Sequence, residues 1–573
     1  MNAPSDADPD LHQTWDAIVV GTGVGGATFG HRLAAAGRSV LFCELGGDPA
    51  SGPPLQGAYP ELAEGRRGEV LGPADAAALL RAGRWAEPII DEGPARPRRF
   101  VPYIGCGPGG SSALYGMALE RFGPADFHPE HALRADPHCD AVERWPIDEA
   151  ELAPYYAQAE ALYRVRGGRD PLAAPAPAAP GRLSAPLPPL PAPPPISPAG
   201  ADLMAWLAAR GLHPYRLPLA CADAPGCATC QGLLCPQRCK LDAAQVALHP
   251  ALHPAPETAP PAKAGHTRLL TGCRVLEVES SGSRASGVRC LYRGAELRLR
   301  ARVVVLAAGA LHTPLLLLRS RDAGGHPGLG NASGWVGRGL MRHLIDLYLV
   351  RPQPATGPGF DNRAKEVGCS DFQQLDGRRL GTLQSFGRLP PAAMLYGALR
   401  DDLRTSSPWG RAAAAALPLA RPLLARVLHD LSERWSALAT IAEDLPYADH
   451  AVVPGGPGVK NLDTPRLHYR LRPEAHARVA LLRTQMAEVL RGRRWRRLPQ
   501  ADNNQRIAHV CGTCRFGTDP QRSVLDRDNR VHAVENLYIV DASFFPSAGA
   551  TNPALTIAAN ALRVAERVGA TLP

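Results

Sequence analysis

Three glycines and a glutamate near the start of the chain have the types and spacing of a diphosphate cradle. Gly21, Gly23 and Gly26 form G-x-G-x-x-G within DAIVVGTGVGGATFGHRLAAAGRSVLFCEL, residues 16–45. In such a turn the first glycine permits the bend and the second lets the backbone approach a pyrophosphate. The third lets helix and strand pack closely, and the helix presents its first amides to the phosphates. Glu44, at the end of the next apolar run, is placed to accept hydrogen bonds from ribose hydroxyls. This argues for a dinucleotide without separating a nicotinamide from a flavin. A second turn, GCGPGGSSALYGMALERFGPADF at 105–127, reads as a glycine- and serine-rich loop followed by a helix. With no side chains at Gly109 and Gly110 and a hydroxyl at Ser111, it can approach a flavin and its diphosphate closely.

A third group is sulfur. CADAPGCATCQGLLCPQRCK, residues 221–240, carries five of the thirteen cysteines, and Cys230, Cys235 and Cys239 are spaced C-x4-C-x3-C. An iron–sulfur cluster, a disulfide or zinc staple, and free thiols all fit that spacing, so no metal is assigned.

These residues need elements to hold them. The run 17–20 is wholly apolar, as in a parallel strand covered on both faces; Gly37 ends the helix, and 40–43 is the next strand. ARVVVLAAGALHTPLLLLRS, 301–320, repeats strand, small-residue turn and apolar helix. NLYIVDASFFP, 536–546, is a further buried strand ending at an acidic turn, and residues 552–568 form an amphipathic helix. Pieces of one α/β domain are therefore spread along 573 residues, with a second region inserted between them. Residues 172–200 are proline-rich and read as an extended surface connection.

Composition excludes several classes. The net charge of +9 rests almost wholly on dispersed arginine, because only Lys240, Lys263, Lys365 and Lys460 are lysines, so a nucleic-acid surface is not expected. No apolar run reaches the roughly 18 residues of a membrane span, and the acidic, polar start carries no export signal. A soluble, cytoplasmic protein without membrane insertion is the expectation.

Taken together, the glycine fingerprint, the GGSS loop, the strand–AAG–helix segment, VGRGLMRH at 336–343, AEDLP at 442–446 and the block AHVCGT…TNPALTIAANAL at 508–562 resemble the glucose–methanol–choline (GMC) oxidoreductase family. The resemblance implies FAD as cofactor and a hydroxylated small molecule as substrate. It implies oxidation of a CH–OH group by hydride transfer to the flavin, with oxygen or a redox partner as final acceptor. It also implies an α/β fold in which a discontinuous Rossmann-like FAD domain carries an inserted α+β substrate domain on a large, mostly antiparallel sheet, as in p-hydroxybenzoate hydroxylase-like proteins. The expected layout is a flexible tail (1–15), FAD-domain segments at 16–130, 246–345 and 501–573, and substrate-domain segments at 131–245 and 346–500.

By the same resemblance Gly21, Gly23, Gly26 and Glu44 hold the ADP half, and Gly109, Gly110 and Ser111 form the flavin loop. The Val275 backbone holds adenine, Asp541 and Ala542 contact the diphosphate and ribityl chain, and Asn552 and Pro553 lie beside the flavin ring. Tyr115 stands where most members have asparagine, altering the flavin's surroundings. Oxidation of an alcohol needs a base, since hydride leaves readily only as the alkoxide forms. A histidine in an apolar stretch reads as structural when taken alone. His509, in the H-x-x-G-T element, occupies the family's catalytic position, and Asn552 that of its partner, whose amide would assist the developing charge. The cysteine segment, Tyr115 and Asn552 also resemble amino-sugar 6′-dehydrogenases. A lyase of hydroxynitrile type and a non-catalytic flavin-binding protein are the alternatives.

Overall fold

The computed structural model describes residues 9–63, 73–94, 97–129, 139, 142–173, 187–254, 266–322, 324–352, 365–375, 377–387, 389–406, 408–455 and 464–573. Its first layer is a seven-stranded sheet. Thr14–Val20 is central, parallel to Val40–Glu44 on one side and to Ala295–Leu306 on the other, and Leu537–Ile539 adds in parallel to Ala295–Leu306. Thr267–Thr271 extends one edge, and the antiparallel strands Arg274–Ser281 and Arg284–Tyr292 extend the other. Ala295–Leu306 shows why the pattern changes along a strand. Its first half alternates exposed and buried residues, whereas Val303–Leu306 is buried throughout because there both faces are covered. The helices Val24–Ala35, Glu149–Leu162 and Ala554–Thr571 pack together against this layer.

Strand Thr14–Val20 begins earlier than the apolar run suggests, and Trp15 is wholly buried with Leu11 beside the same core. The expected tail of residues 1–15 is therefore ordered at its end, because these two apolar side chains have a core to enter. The helix Val24–Ala35 stops just before Gly37, which takes a left-handed φ of 79°.

The second layer is a six-stranded antiparallel sheet in the order Trp495–Leu498, Leu344–Val350, Ser436–Ala442, Gly381–Gly387, Val367–Cys369, Tyr215–Arg216. Helix Pro473–Val489 covers it with Ala475, Val479, Leu482 and Met486, a stripe at helical spacing. Three helices, Ala392–Ser406, Pro408–Ala416 and Arg421–Arg434, lie between two of its strands in sequence. The described end of the proline-rich connection offers carbonyls but few amides, and arginines take them up: Arg169 donates to Pro188, Arg166 to Ala192 and Arg216 to Pro194, each at 2.9 Å. Its residues 174–186 lie outside the described residues.

Candidate functional site

The glycine fingerprint sits where strand Thr14–Val20 passes into helix Val24–Ala35. A Cβ on Gly26 would stand 2.1 Å from the Gly21 carbonyl oxygen and 2.9 Å from the Ala307 Cβ, so this glycine is what lets helix and strand meet. Gly23 differs. A Cβ there meets nothing within 4 Å, while one on Gly110 of the second loop would lie 2.9 Å from the Gly23 Cα. The two glycine loops therefore abut at an open face. The helix after Gly23 has no side-chain cap, which leaves its first amides available to an anion. That open, uncapped cradle fits the diphosphate of a dinucleotide. Glu44 is buried and already accepts from the Thr22 amide and hydroxyl (3.0 and 2.7 Å) and from the Gly46 amide (3.0 Å).

Asp541 stands at the turn that follows strand Leu537–Ile539. Its carboxylate accepts from Gly309 N (2.9 Å), Thr313 Oγ1 (2.5 Å), Ser543 N (2.9 Å) and Ser543 Oγ (2.5 Å). Burial pushes its pKa up against those four donors. A carboxylate so filled ties the 307–313 turn to the C-terminal block, and the available donor here is the Ala542 amide, first of the short helical turn Ala542–Phe544. Val275 lies on Arg274–Ser281, a strand paired on one side only.

The 105–127 loop is not followed directly by a helix as expected. It forms one tight helical turn, Gly110–Ala113, then runs irregularly to the short helix Pro124–Phe127, because Gly109, Gly110 and Met117 all take left-handed φ. Ser111 accepts from the Gly105 amide, and the buried Ser112 bonds the Gly109 carbonyl and the Ala243 amide. The Tyr115 hydroxyl donates to the Leu241 carbonyl (2.8 Å), and the side chain packs among Met117, Cys221 and Cys239. It anchors the cysteine segment.

Within that segment Cys230, Cys235 and Cys239 do not form a metal-holding group. Cys230 neighbours Cys235, whereas Cys239 neighbours Cys227, whose sulfur is 3.9 Å from that of Cys221. Left-handed turns at Asp223, Gly226, Thr229, Gly232 and Arg238 place successive cysteines on different bends. All thirteen cysteines are thiols, and no group of three His, Cys, Asp or Glu among the described residues could hold a metal ion. Buried Lys240 secures the segment to the flavin loop, donating to the Ala113 and Leu233 carbonyls (2.8 and 2.9 Å).

His509 is not in a strand. Its backbone is left-handed (φ 54°), in a segment held against 341–343 by reciprocal bonds between Met341 and Cys511 and by His343 N donating to Ala508 O, all 3.0 Å. This pairing sets the His343 and His509 rings at right angles (89°) with Nδ1 atoms 2.8 Å apart. His343 Nε2 faces the carbonyls of Gly549 (2.9 Å) and Ala548 (3.2 Å), which can only accept. Nε2 therefore carries the His343 proton, Nδ1 of His343 accepts, and His509 donates from Nδ1. The lone pair of neutral His509 is left on Nε2, which has no partner among the described residues. Burial, then His343 and then Lys365, holds the His509 pKa well below the ordinary histidine value, so its neutral form prevails.

Asn552 stands just before helix Ala554–Thr571. Its amide nitrogen donates to Glu120 Oε2 (2.7 Å) and Gln384 Oε1 (3.0 Å). Both amide hydrogens are thus committed, which corrects the expectation that this amide assists a developing negative charge; Oδ1, an acceptor, is what remains. Glu120 also accepts from Tyr215 (2.5 Å) and Thr551 (2.8 Å). Gln384 and Tyr215 come from the antiparallel sheet, so this network joins the two layers. Sequence reasoning passed over His343, Glu120, Gln384 and Lys365. His343 and Glu120 stood inside recognised motifs, VGRGLMRH and the 105–127 loop, but Gln384 and Lys365 carried no signal.

The GMC oxidoreductase N- and C-terminal family models match residues 149–345 and 439–561. The 6'''-hydroxyparomomycin C oxidase of Streptomyces lividus is 33% identical, covering 98% of this chain and 92% of its own. Paromamine 6'-oxidase of Streptomyces fradiae is 30% identical, covering 98% and 93%. Among solved structures, pyridoxine 4-oxidase from Mesorbium loti superposes with a TM-score of 0.60 at 21% identity, covering 97% and 99%.

Proposed function

The chain belongs to the GMC oxidoreductase family, and from that premise we propose that it uses FAD to oxidise a CH–OH group of an amino sugar, with His509 as the base. The family carries a flavin and acts on hydroxyl groups. The amino-sugar reading follows the two aminoglycoside oxidases that are similar along nearly the whole chain.

The observation that carries the proposal is the hydrogen-bond chain from Gly549 through His343 to His509. It fixes one tautomer and leaves Nε2 of His509 to accept the substrate's hydroxyl proton. Bound FAD supplies the hydride acceptor. Gly23 and Gly110, with the amides opening helix Val24–Ala35, would hold its diphosphate. Oδ1 of Asn552 would accept a hydrogen bond from a substrate O–H or N–H, while Glu120 and Gln384 fix its orientation. We place the enzyme in the cytoplasm, a reading supported by thirteen cysteines present as thiols. No described helix is long and apolar enough to cross a membrane.

Anaerobic mixing of the yellow protein with amino sugars, sugars and simple alcohols tests the proposal. Loss of flavin absorbance with an alcohol is expected. An unbleached flavin together with cleavage of cyanohydrins would replace oxidation by lyase chemistry.

A further inference from the structure

Two lysines are deeply buried, and they are treated differently. Lys240 is 1% exposed and spends its ammonium on two carbonyls. Lys365 is 8% exposed, yet its ammonium hydrogen-bonds to no described group. Burial lowers both to about 8, and for Lys365 the carboxylate of Glu120 opposes that shift. Burying most of a lysine without giving its ammonium a protein acceptor is costly, so such a lysine marks a place where acceptor atoms arrive from outside the fold.

That place adjoins the site. A Cβ on Gly116 of the flavin loop would stand 3.2 Å from Lys365 Cδ and 3.2 Å from Gln231 Oε1, so the lysine stem lies against the loop. Its charge is felt at His509 and at Glu120. The amides of Glu366 and Val367, immediately after it, both donate to Ser385 Oγ (2.8 and 2.9 Å), fixing the backbone to the antiparallel sheet. Glu120 is half-buried and accepts three hydrogen bonds, two on Oε2 and one on Oε1. A carboxylate accepts about four, so one position on Oε1 remains. Lys365 and Glu120 thus attract each other without sharing a hydrogen bond.

We propose that Lys365 and Glu120 form a donor–acceptor clamp for two polar substituents of the substrate other than the hydroxyl being oxidised. Lys365 Nζ holds an oxygen, and Glu120 Oε1 accepts from a hydroxyl or amino group. The clamp selects polyhydroxylated or amino-bearing alcohols over simple ones, and it rests on the reading of this site as one that oxidises CH–OH groups.

The holoenzyme, with Lys365→Met, Lys365→Arg and Glu120→Gln variants, is compared on paromamine and 1-propanol. Anaerobic flavin reduction gives kcat/KM, and perturbation of the oxidised flavin spectrum gives Kd. The ratio of kcat/KM for paromamine to that for 1-propanol should fall about 10–100-fold in Lys365→Met, the usual loss on removing a hydrogen bond to a charged group. The loss should appear in KM and Kd more than in kcat, and Lys365→Arg should restore most of it. Glu120→Gln should lower the same ratio, which keeps the test open should Lys365→Met not fold. An unchanged ratio, or equal losses on both substrates, overturns the clamp while leaving the oxidation intact. A wild-type flavin that neither alcohol reduces overturns the reading of the site and the clamp with it.

Discussion

His343 and His509, 166 residues apart in sequence, share one proton across 2.8 Å between their Nδ1 atoms, and the carbonyl of Gly549 decides which ring owns it. A carbonyl cannot donate, so it claims the His343 proton on Nε2 and leaves His509 to donate from Nδ1. His343 is then a positioning residue. His343→Ala should keep FAD but slow flavin reduction by about 10–100-fold, because the base loses its fixed tautomer. Removing His343 also removes one of the influences that lower the His509 pKa, so the acid limb of the rate should move to higher pH. A slower enzyme with an unmoved acid limb would reduce His343 to a packing role.

Gly23→Ala isolates the cofactor cradle. The added methyl meets nothing within 4 Å in the protein, and the backbone there (φ −66°) suits alanine. The variant should fold with an unchanged melting temperature in its apo form while retaining little or no FAD. Stoichiometric FAD in the purified variant would show that the diphosphate lies elsewhere.

Asn552→Ala should slow flavin reduction by about tenfold and leave the acid limb in place, since an amide does not titrate. Asn552→Asp should be worse than alanine, because it sets a second carboxylate against Glu120 where the native amide donates at 2.7 Å. Equal rates in the two variants would mean that Glu120 is not coupled to this position.

His312 offers a test of the fold under acid. Tilted against Trp85 (ring centroids 4.3 Å apart), with its Nε2 enclosed and without a hydrogen-bond partner among the described residues, it has its pKa lowered by burial to about 4. The unfolded chain binds this proton near pH 6.5, so between those values the unfolded state holds more protons and stability falls with pH. Above 6.5 the contribution is intact. His312→Leu should therefore gain on the wild type by about 1.4 kcal/mol per pH unit from 6.5 down to 4. Urea unfolding at several pH values measures this, and a constant difference would contradict it.

Much of the dinucleotide layer was legible because its signals are local. The continuous apolar run at 17–20, the glycine spacing after it and Gly37 at the helix end each act within a few residues. The proposed site was legible only at His509 and Asn552, through their motif. His343 reaches His509 through backbone pairing of distant segments, which no periodicity reveals. Glu120 reads as part of a helix that does not form, since Gly110 and Met117 turn left-handed. The spacing of Cys230, Cys235 and Cys239 fits a cluster, a staple or free thiols equally, because the left-handed turns between them, which decide the grouping, leave no mark on the spacing. Tyr115 and Asp541 read as cofactor contacts through the resemblance alone; what their side chains do within the fold, the Tyr115 hydroxyl donating to Leu241 and the Asp541 carboxylate accepting from Gly309, Thr313 and Ser543, depends on segments distant in sequence.

The central claim, that His509 Nε2 takes the substrate's proton, is tested most directly by single-turnover flavin reduction in His509→Ala across pH. FAD should be retained, because Gly21, Gly23 and Gly26 serve the cofactor and the imidazole serves the substrate. The rate at neutral pH should fall by about 10²–10⁴-fold, the usual contribution of a positioned base. The deficit should shrink as rising pH supplies alkoxide from solution. Reduction at the wild-type rate in that variant would contradict the account.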